Sequence, residues 1–306
     1  MGSETKPSGP RPFAVIIGAM KSGTTTLFEL LSQHPQIAAC SVKEPRFFSD
    51  DEVWSKGWSW YEALWKWDDS KHRVALEGST QYTTYPARRG IPQRMASIPR
   101  ASFRFIYLMR NPLDQIESNV RHTLYLGWGQ PLDQGIQDWM IETVSYATQI
   151  EQFTNVFSRE SMLLLTLDEM EADPAAVLVR VSRFLEVDPD FRFEQVEKKY
   201  NRGDAYEVTP AVATMMKAAP LRWLAQQVIP RSVRHGIRAL LPRLTGQKRD
   251  FGRYRLTAEE RSRLAAQLAP EMQMLQERYG VAVPRGWQPY RGEQDSTVPY
   301  PSTQTR

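Results

Sequence analysis

The chain is poor in cysteine, long apolar runs and net charge. A single cysteine among 306 residues excludes an intramolecular disulfide, so a disulfide-stapled scaffold is ruled out and Cys40 is expected to be a structural thiol in a reducing compartment. The strongest apolar stretches, FAVIIG and LLLTL, fall well short of the ~18 residues of a membrane span and have the length of buried strands. The opening MGSETKPSGPRP lacks the apolar core of a signal peptide, and Lys6 stands where a myristoylation signal has Ser or Thr; the expectation is a disordered leader over 1–12 and a cytoplasmic protein. Net charge is only +4, yet acidic residues are absent between Glu207 and Asp250, where Lys217, Arg222, Arg231, Arg234, Arg238, Arg243, Lys248 and Arg249 contribute eight positive charges, which leaves −4 for the remainder. This asymmetry suggests either a solvated basic face or a surface for an anion. Nucleic acid is not the expected partner, because the aromatics cluster at 54–67 instead of interleaving with the basic stretch.

What the chain does have is GAMKSGTTTL, residues 18–27. Gly18 and Gly23 keep the spacing of a phosphate-cradling loop, but Thr24 stands where nucleotide hydrolases have lysine, and Lys21 sits inside the loop. A buried strand, FAVIIGA, leads into it and a helix, TTTLFELLSQH, follows. The N-terminus of that helix offers unpaired N–H groups and a positive dipole end to an oxyanion.

Strands and helices alternate beyond the loop. Strands are expected at RVALEGST, ending near Glu77, at ASFRFIYLMR, ending at Arg110, and at SMLLLTLDEM. Helices are expected at 113–124, over a long stretch 134–158, in the aromatic WSKGWSWYEALWKW, after an Asp173 cap with Pro174 at the first position, and from Thr257, where Glu260 completes a capping box. The fold class is therefore α/β: a P-loop-like, doubly wound parallel sheet flanked by helices, with ligands at the carboxyl ends of the strands and a helical basic C-terminal region. One domain over 13–290 is expected, with 200–250 as a basic insertion or lid and 291–306 as a flexible tail. Ser118 and His122 lie four apart, on one face of their helix.

Together these motifs resemble the sulfotransferases that use 3′-phosphoadenosine 5′-phosphosulfate (PAPS). Lys21-Ser22-Gly23-Thr24-Thr25, followed by Thr26, matches their K-x-G-T-T loop, which holds the 5′-phosphosulfate; Arg110 and Ser118, eight residues apart behind a hydrophobic strand, match their 3′-phosphate motif. DEMEADPAAVLVRVSRFLEV and the closing helix extend the likeness along the chain, and KEPRFFSD with GWSWYEAL points to the glycosaminoglycan-type and bacterial branch. The resemblance implies PAPS as co-substrate without a metal. It implies Lys21 at the bridging oxygen, Arg110 as a planar fork on the 3′-phosphate and Glu44 as general base, its pKa raised by a Phe47–Phe48 wall. The bland reading of Glu44 is a surface carboxylate paired with Lys43 or Arg46. His122 occupies a position where some members have a histidine, catalytic or structural, and Lys248 and Arg249 are placed as nucleotide contacts. One departure stands out: members with an E-K-[ST] motif have a lysine where this chain has Gly78, so Glu77 and Ser79 are weaker candidates.

The acceptor implied is a hydroxyl or amine of a small molecule, lipid or saccharide. The basic face over 217–249 suits a membrane surface, an acceptor cover or a dimer contact, and sequence does not separate these. Two rivals remain at this level: a P-loop kinase using Asp168 for magnesium, and a nucleotide-binding module without catalysis.

Overall fold

The computed structural model describes residues 10–126, 136–196 and 254–287. Five parallel strands form the sheet, in the order β2-β3-β1-β4-β5, from β1 (Arg11–Gly18), β2 (Ile37–Ala39), β3 (Val74–Gly78), β4 (Ala101–Met109) and β5 (Met162–Thr166). Helices α1 (Thr24–Leu31), α2 (Asp51–Trp54), α3 (Trp58–Glu62), α4 (Ile91–Ala96), α5 (Pro112–Leu126), α6 (Asp138–Glu142), α7 (Tyr146–Thr154), α8 (Leu167–Ala172), α9 (Pro174–Leu185) and α10 (Ala258–Glu277) flank it. From β1 the chain first crosses to the edge strand β2, comes back to place β3 beside β1, and then crosses over to lay β4 and β5 on the other side. The order therefore reverses between β1 and β4, and crevices for ligands open at such a point, beyond the carboxyl ends of the strands.

Phe13 through Gly18 of β1 are all buried, as expected of a central parallel strand covered on both faces. The Phe13 ring stacks with Tyr61 and meets Trp58 and Trp65 edge-on. The aromatic segment thus packs under β1, each large ring contributing roughly 1.5–3 kcal/mol by its burial.

Several expectations are corrected. β1 begins at Arg11, which pairs with Ala101, so the strand takes in the last two residues of the supposed leader. α1 stops at Leu31, short of His34-Pro35, since a residue before proline is pushed out of the helical region. The long helix over 134–158 is two helices within its described part: Gln149 Nε2 donates to the Glu142 carbonyl at 3.0 Å and so satisfies the end of α6. SMLLLTLDEM is strand only to Thr166. There the Thr166 hydroxyl accepts from the Glu169 N–H at 3.1 Å, and the Glu169 carboxylate accepts from the Thr166 N–H at 2.7 Å, a capping box that opens α8. The aromatic stretch forms two short helices divided at Gly57, and β2 has no counterpart in the sequence reading. The caps at Asp173 and at Thr257 with Glu260 form as expected. Cys40 is buried and forms no disulfide. No helix among the described residues is long and apolar enough to cross a membrane.

Candidate active site at the β1–β4 crevice

The loop after β1 is shaped by close approach. A Cβ on Gly18 would lie 2.2 Å from Thr83 Oγ1 and 2.8 Å from the Tyr107 ring, so only glycine fits there. Gly23 has φ +87° and would bring a Cβ within 3.0 Å of Leu167, a left-handed conformation that glycine adopts without strain. As N-cap of α1, Gly23 has no side chain to satisfy the first-turn N–H groups, and such a turn, here Thr24, Thr25 and Thr26, is suited to an anion. Ser22 is fully buried, and its Oγ donates to Gln115 Oε1 at 3.1 Å.

β4 ends beside this loop. Asn111 Oδ1 accepts from the Leu113 N–H at 3.0 Å, so the Asn-Pro pair turns the chain directly into α5. Arg110 Nη1 donates to the Lys21 carbonyl at 3.2 Å. The buried Tyr146 hydroxyl lies 2.7 Å from the Arg110 carbonyl and 2.6 Å from Gln115 Oε1, so α5 and α7 lock the two strand ends together. Burial pushes the Tyr146 phenol up, keeping it a neutral donor. Ser118 is buried on α5, and His122 is half-buried one turn on.

Electrostatics registers the same gathering. Burial, then Arg110 and Arg121, lower the Lys21 pKa to about 8. Burial and the Lys21 charge lower that of His122 to about 4, so this imidazole is neutral at neutral pH. Arg121 also donates to the Tyr254 carbonyl at 3.4 Å. Glu117, on another side of α5, accepts from the Leu256 N–H at 3.1 Å and from Arg261 at 2.8 Å, tying the start of α10 to the same helix.

The opposite rim is acidic. Glu44 has a left-handed φ of 54°, its N–H donates to the Gly78 carbonyl at 3.1 Å, and its carboxylate accepts from Thr80 Oγ1 at 3.3 Å. The expected aromatic wall is corrected: Phe47 and Phe48 are core residues, Phe47 stacked on Tyr61 and Phe48 edge-on to Tyr82. Thr80, rather than Lys43 or Arg46, is the hydrogen-bond partner of the Glu44 carboxylate. Beneath it lies Glu77, fully buried, accepting from Ser79 Oγ at 2.6 Å and from the Tyr61 hydroxyl. Burial holds its carboxyl above the usual range. Ser79 Oγ in turn accepts from the Arg46 N–H at 3.2 Å. Glu77 and Ser79 thus anchor the 43–46 loop to the end of β3.

The structure joins Lys21 to Arg110 by a hydrogen bond and brings the Lys21 charge near His122; Thr24–Thr26 form the first turn of α1 beside them, Ser22 is turned inward to Gln115, Ser118 lies buried one turn before His122, and Glu44 sits on the loop that β3 supports. Lys248 and Arg249 lie outside the described residues, as does 217–249. The Asp168 carboxylate accepts from Trp287 Nε1 at 3.1 Å. Four residues were missed. Arg121 adjoins His122 and could have been flagged from the helical face; Lys43 stands directly before Glu44; Gln115 and Tyr146 carried no sequence signal.

A buried parallel sheet whose strand order reverses beside an uncapped glycine loop defines an anion-binding α/β protein. Within that class the chain belongs to the sulfotransferase family: the family model described as "Sulfotransferase domain" matches residues 11–205. The chain is 28% identical over 203 residues to mouse (Mus musculus) heparan sulfate glucosamine 3-O-sulfotransferase 3B1, covering 61% of this chain and 50% of that protein. It is 25% identical over 208 residues to the mouse bifunctional heparan sulfate N-deacetylase/N-sulfotransferase 4, covering 60% and 23%. The chain thus spans half or less of the length of these curated relatives. Among solved structures, the sulfotransferase from Alicyclobacillus acidocaldarius shares the fold with a TM-score of 0.59 at 21% identity, over 90% of this chain and 98% of that one.

Proposed function

We propose that the protein transfers a sulfuryl group from PAPS to a hydroxyl or amine of a saccharide-type acceptor. The observation that carries this reading is the hydrogen bond from the Arg110 guanidinium to the Lys21 carbonyl, which puts the two strand ends within reach of one nucleotide with anionic groups at both its 3′ and 5′ positions. Support for a saccharide comes from relatives whose names specify heparan sulfate; small-molecule and lipid acceptors follow as the next arms of a screen.

The residues present fit the donor. Loop 18–26 holds no carboxylate, a Cβ at Gly18 or Gly23 would strike Thr83 and Tyr107 or Leu167 and so displace the loop, and the side chains offered are hydroxyls and cations. Thr24, Thr25, Thr26 and Lys21 would hold the phosphosulfate, Arg110 and Ser118 the 3′-phosphate. When bound, PAPS supplies a sulfur–oxygen bond whose cleavage moves SO₃ to the acceptor. Lys21 places positive charge where the departing phosphate oxygen gains negative charge, and Arg110 orients the nucleotide. Glu44 accepts the acceptor's proton at its carboxylate, and neutral His122 serves as a hydrogen-bonding group rather than a cation. None of these roles calls on a metal, unlike ATP-dependent phosphoryl transfer.

The test is transfer of radiolabel from PAPS to a panel of oligosaccharides, small alcohols and lipids in excess EDTA. Labelled product at full rate is expected. Failure to bind adenosine 3′,5′-bisphosphate, or magnesium-dependent transfer from ATP instead, would overturn the reading.

A further inference from the structure

One lysine near the crevice has no part in the chemistry above. Lys43 Nζ donates to Oγ1 of Thr25, in the first turn of α1. The side chain is half-buried, and no ion pair among the described residues includes it. Glu44, Glu29 and Lys21 are the charged groups whose fields reach it.

An ammonium has donors only, whereas a threonine hydroxyl has one proton and two lone pairs. By accepting from Lys43, Thr25 commits a lone pair on that side, and its own proton is left to be donated elsewhere. At the N-terminus of a helix, an oxyanion is the acceptor such a proton serves. The surroundings explain why lysine comes from position 43. Glu44 N–H bonds the Gly78 carbonyl, so the chain entering Glu44 lies against Gly78. A Cβ built on Gly78 would approach Phe28 at 3.4 Å, and Phe28 lies three residues from Thr25 on the same face of α1. Lys43 therefore delivers its ammonium to the face of α1 that a side chain at position 78 would approach.

We propose that Lys43 is a positioning residue for the donor: it turns the Thr25 hydroxyl into a fixed donor toward the 5′-phosphosulfate end and places a second ammonium there. The inference rests on the sulfotransferase reading of the same crevice, and it assigns to this chain's own Lys43 the place left empty by Gly78.

The test is calorimetry on the full chain with two probes, adenosine 3′,5′-bisphosphate and adenosine 3′-monophosphate, which differ only at the 5′ end. Lys43→Ala should weaken the bisphosphate about tenfold, the size of one charge-assisted hydrogen bond, and leave the monophosphate within about twofold. Lys43→Arg should recover most of the loss, and Lys43→Ala made on a Thr25→Val background should add little to the loss that Thr25→Val causes. Equal weakening of both probes would reveal a merely structural lysine, and no weakening of either would remove the role outright. A wild-type chain that takes up neither probe would sink the family-level reading of the crevice and this inference with it, whereas normal wild-type uptake with an unchanged ratio of affinities in Lys43→Ala sinks the inference alone.

Discussion

The two rims of the crevice handle charge in opposite ways. On the β1–β4 side, Lys21, Arg110 and Arg121 crowd together, and burial, then the two guanidinium charges, lower the Lys21 pKa to about 8. On the β3 side a fully buried carboxyl, Glu77, is raised instead and is satisfied by hydroxyl donors. A cluster of cations favours an anion among them, whereas a hydroxyl-supported carboxyl can hold a loop without any ligand. The comparison separates a donor-binding rim from a base-presenting rim, although both hang from strand ends of one sheet.

The sharpest way to break that separation is Glu44→Gln. If Glu44 only removes the acceptor's proton, kcat should fall by roughly 10²–10⁴, with affinity for adenosine 3′,5′-bisphosphate within about twofold of wild type. A parallel loss of nucleotide affinity would show that the rims are not independent. The next effect belongs to the basic rim. Lys21→Met should weaken bisphosphate binding on the order of a hundredfold, as loss of a charged hydrogen-bond donor does.

The same lysine predicts a pH dependence that the other rim lacks. Its charged form binds the anion, and that form is depleted as pH rises past about 8. Calorimetry from pH 7 to 9.5 should therefore show affinity falling by at most about tenfold per unit, the limit for one linked proton. Lys21→Met should flatten that decline. A decline that persists in the variant would assign the proton to another group.

The two rims also differ in how legible they were. The basic rim announced itself through spacing: K-x-G-T-T, and arginine eight residues before serine, sit at strand–helix junctions where backbone geometry demands them. The acidic rim depends on which way a loop turns. Phe47 and Phe48 belong to the core because Trp54 and Tyr61, seven and fourteen residues after Phe47, fold back on them from two short helices, and the turn-rich segment itself does not announce that meeting. Lys43 was invisible as a site residue for a similar reason, since its partner Thr25 lies on a different element. Among the elements, β3 and β4 were readable from the short apolar runs they contain, VAL and FIYLM. β2 was not, being three residues long and two-thirds alanine, a residue with little strand preference. The β5–α8 boundary was legible in principle through Thr166 and Glu169, but the apolar run preceding them outweighed the capping signal.

The smallest predicted effect sets the rims against each other in stability. The folded-state pKa of His122 is about 4 against an ordinary 6.5, so between those values the unfolded chain binds more protons and stability rises with pH. Glu77 is shifted up from 4.5, so above that value the folded state retains a proton that the unfolded chain has lost, and stability falls as pH rises. The two slopes overlap above about pH 4.5 and partly cancel in the wild type. Urea unfolding at half-unit steps from pH 4.5 to 7.5 separates them. His122→Asn should leave the falling slope of Glu77, and Glu77→Gln should leave the rising slope of His122. The His122 change is expected on the order of 1 kcal/mol, the group being half-buried and its shift reduced by solvent screening; for Glu77 the sign of the slope is the readout. Slopes of the same sign in both variants would mean that one of the two groups does not carry the shift that its burial imposes.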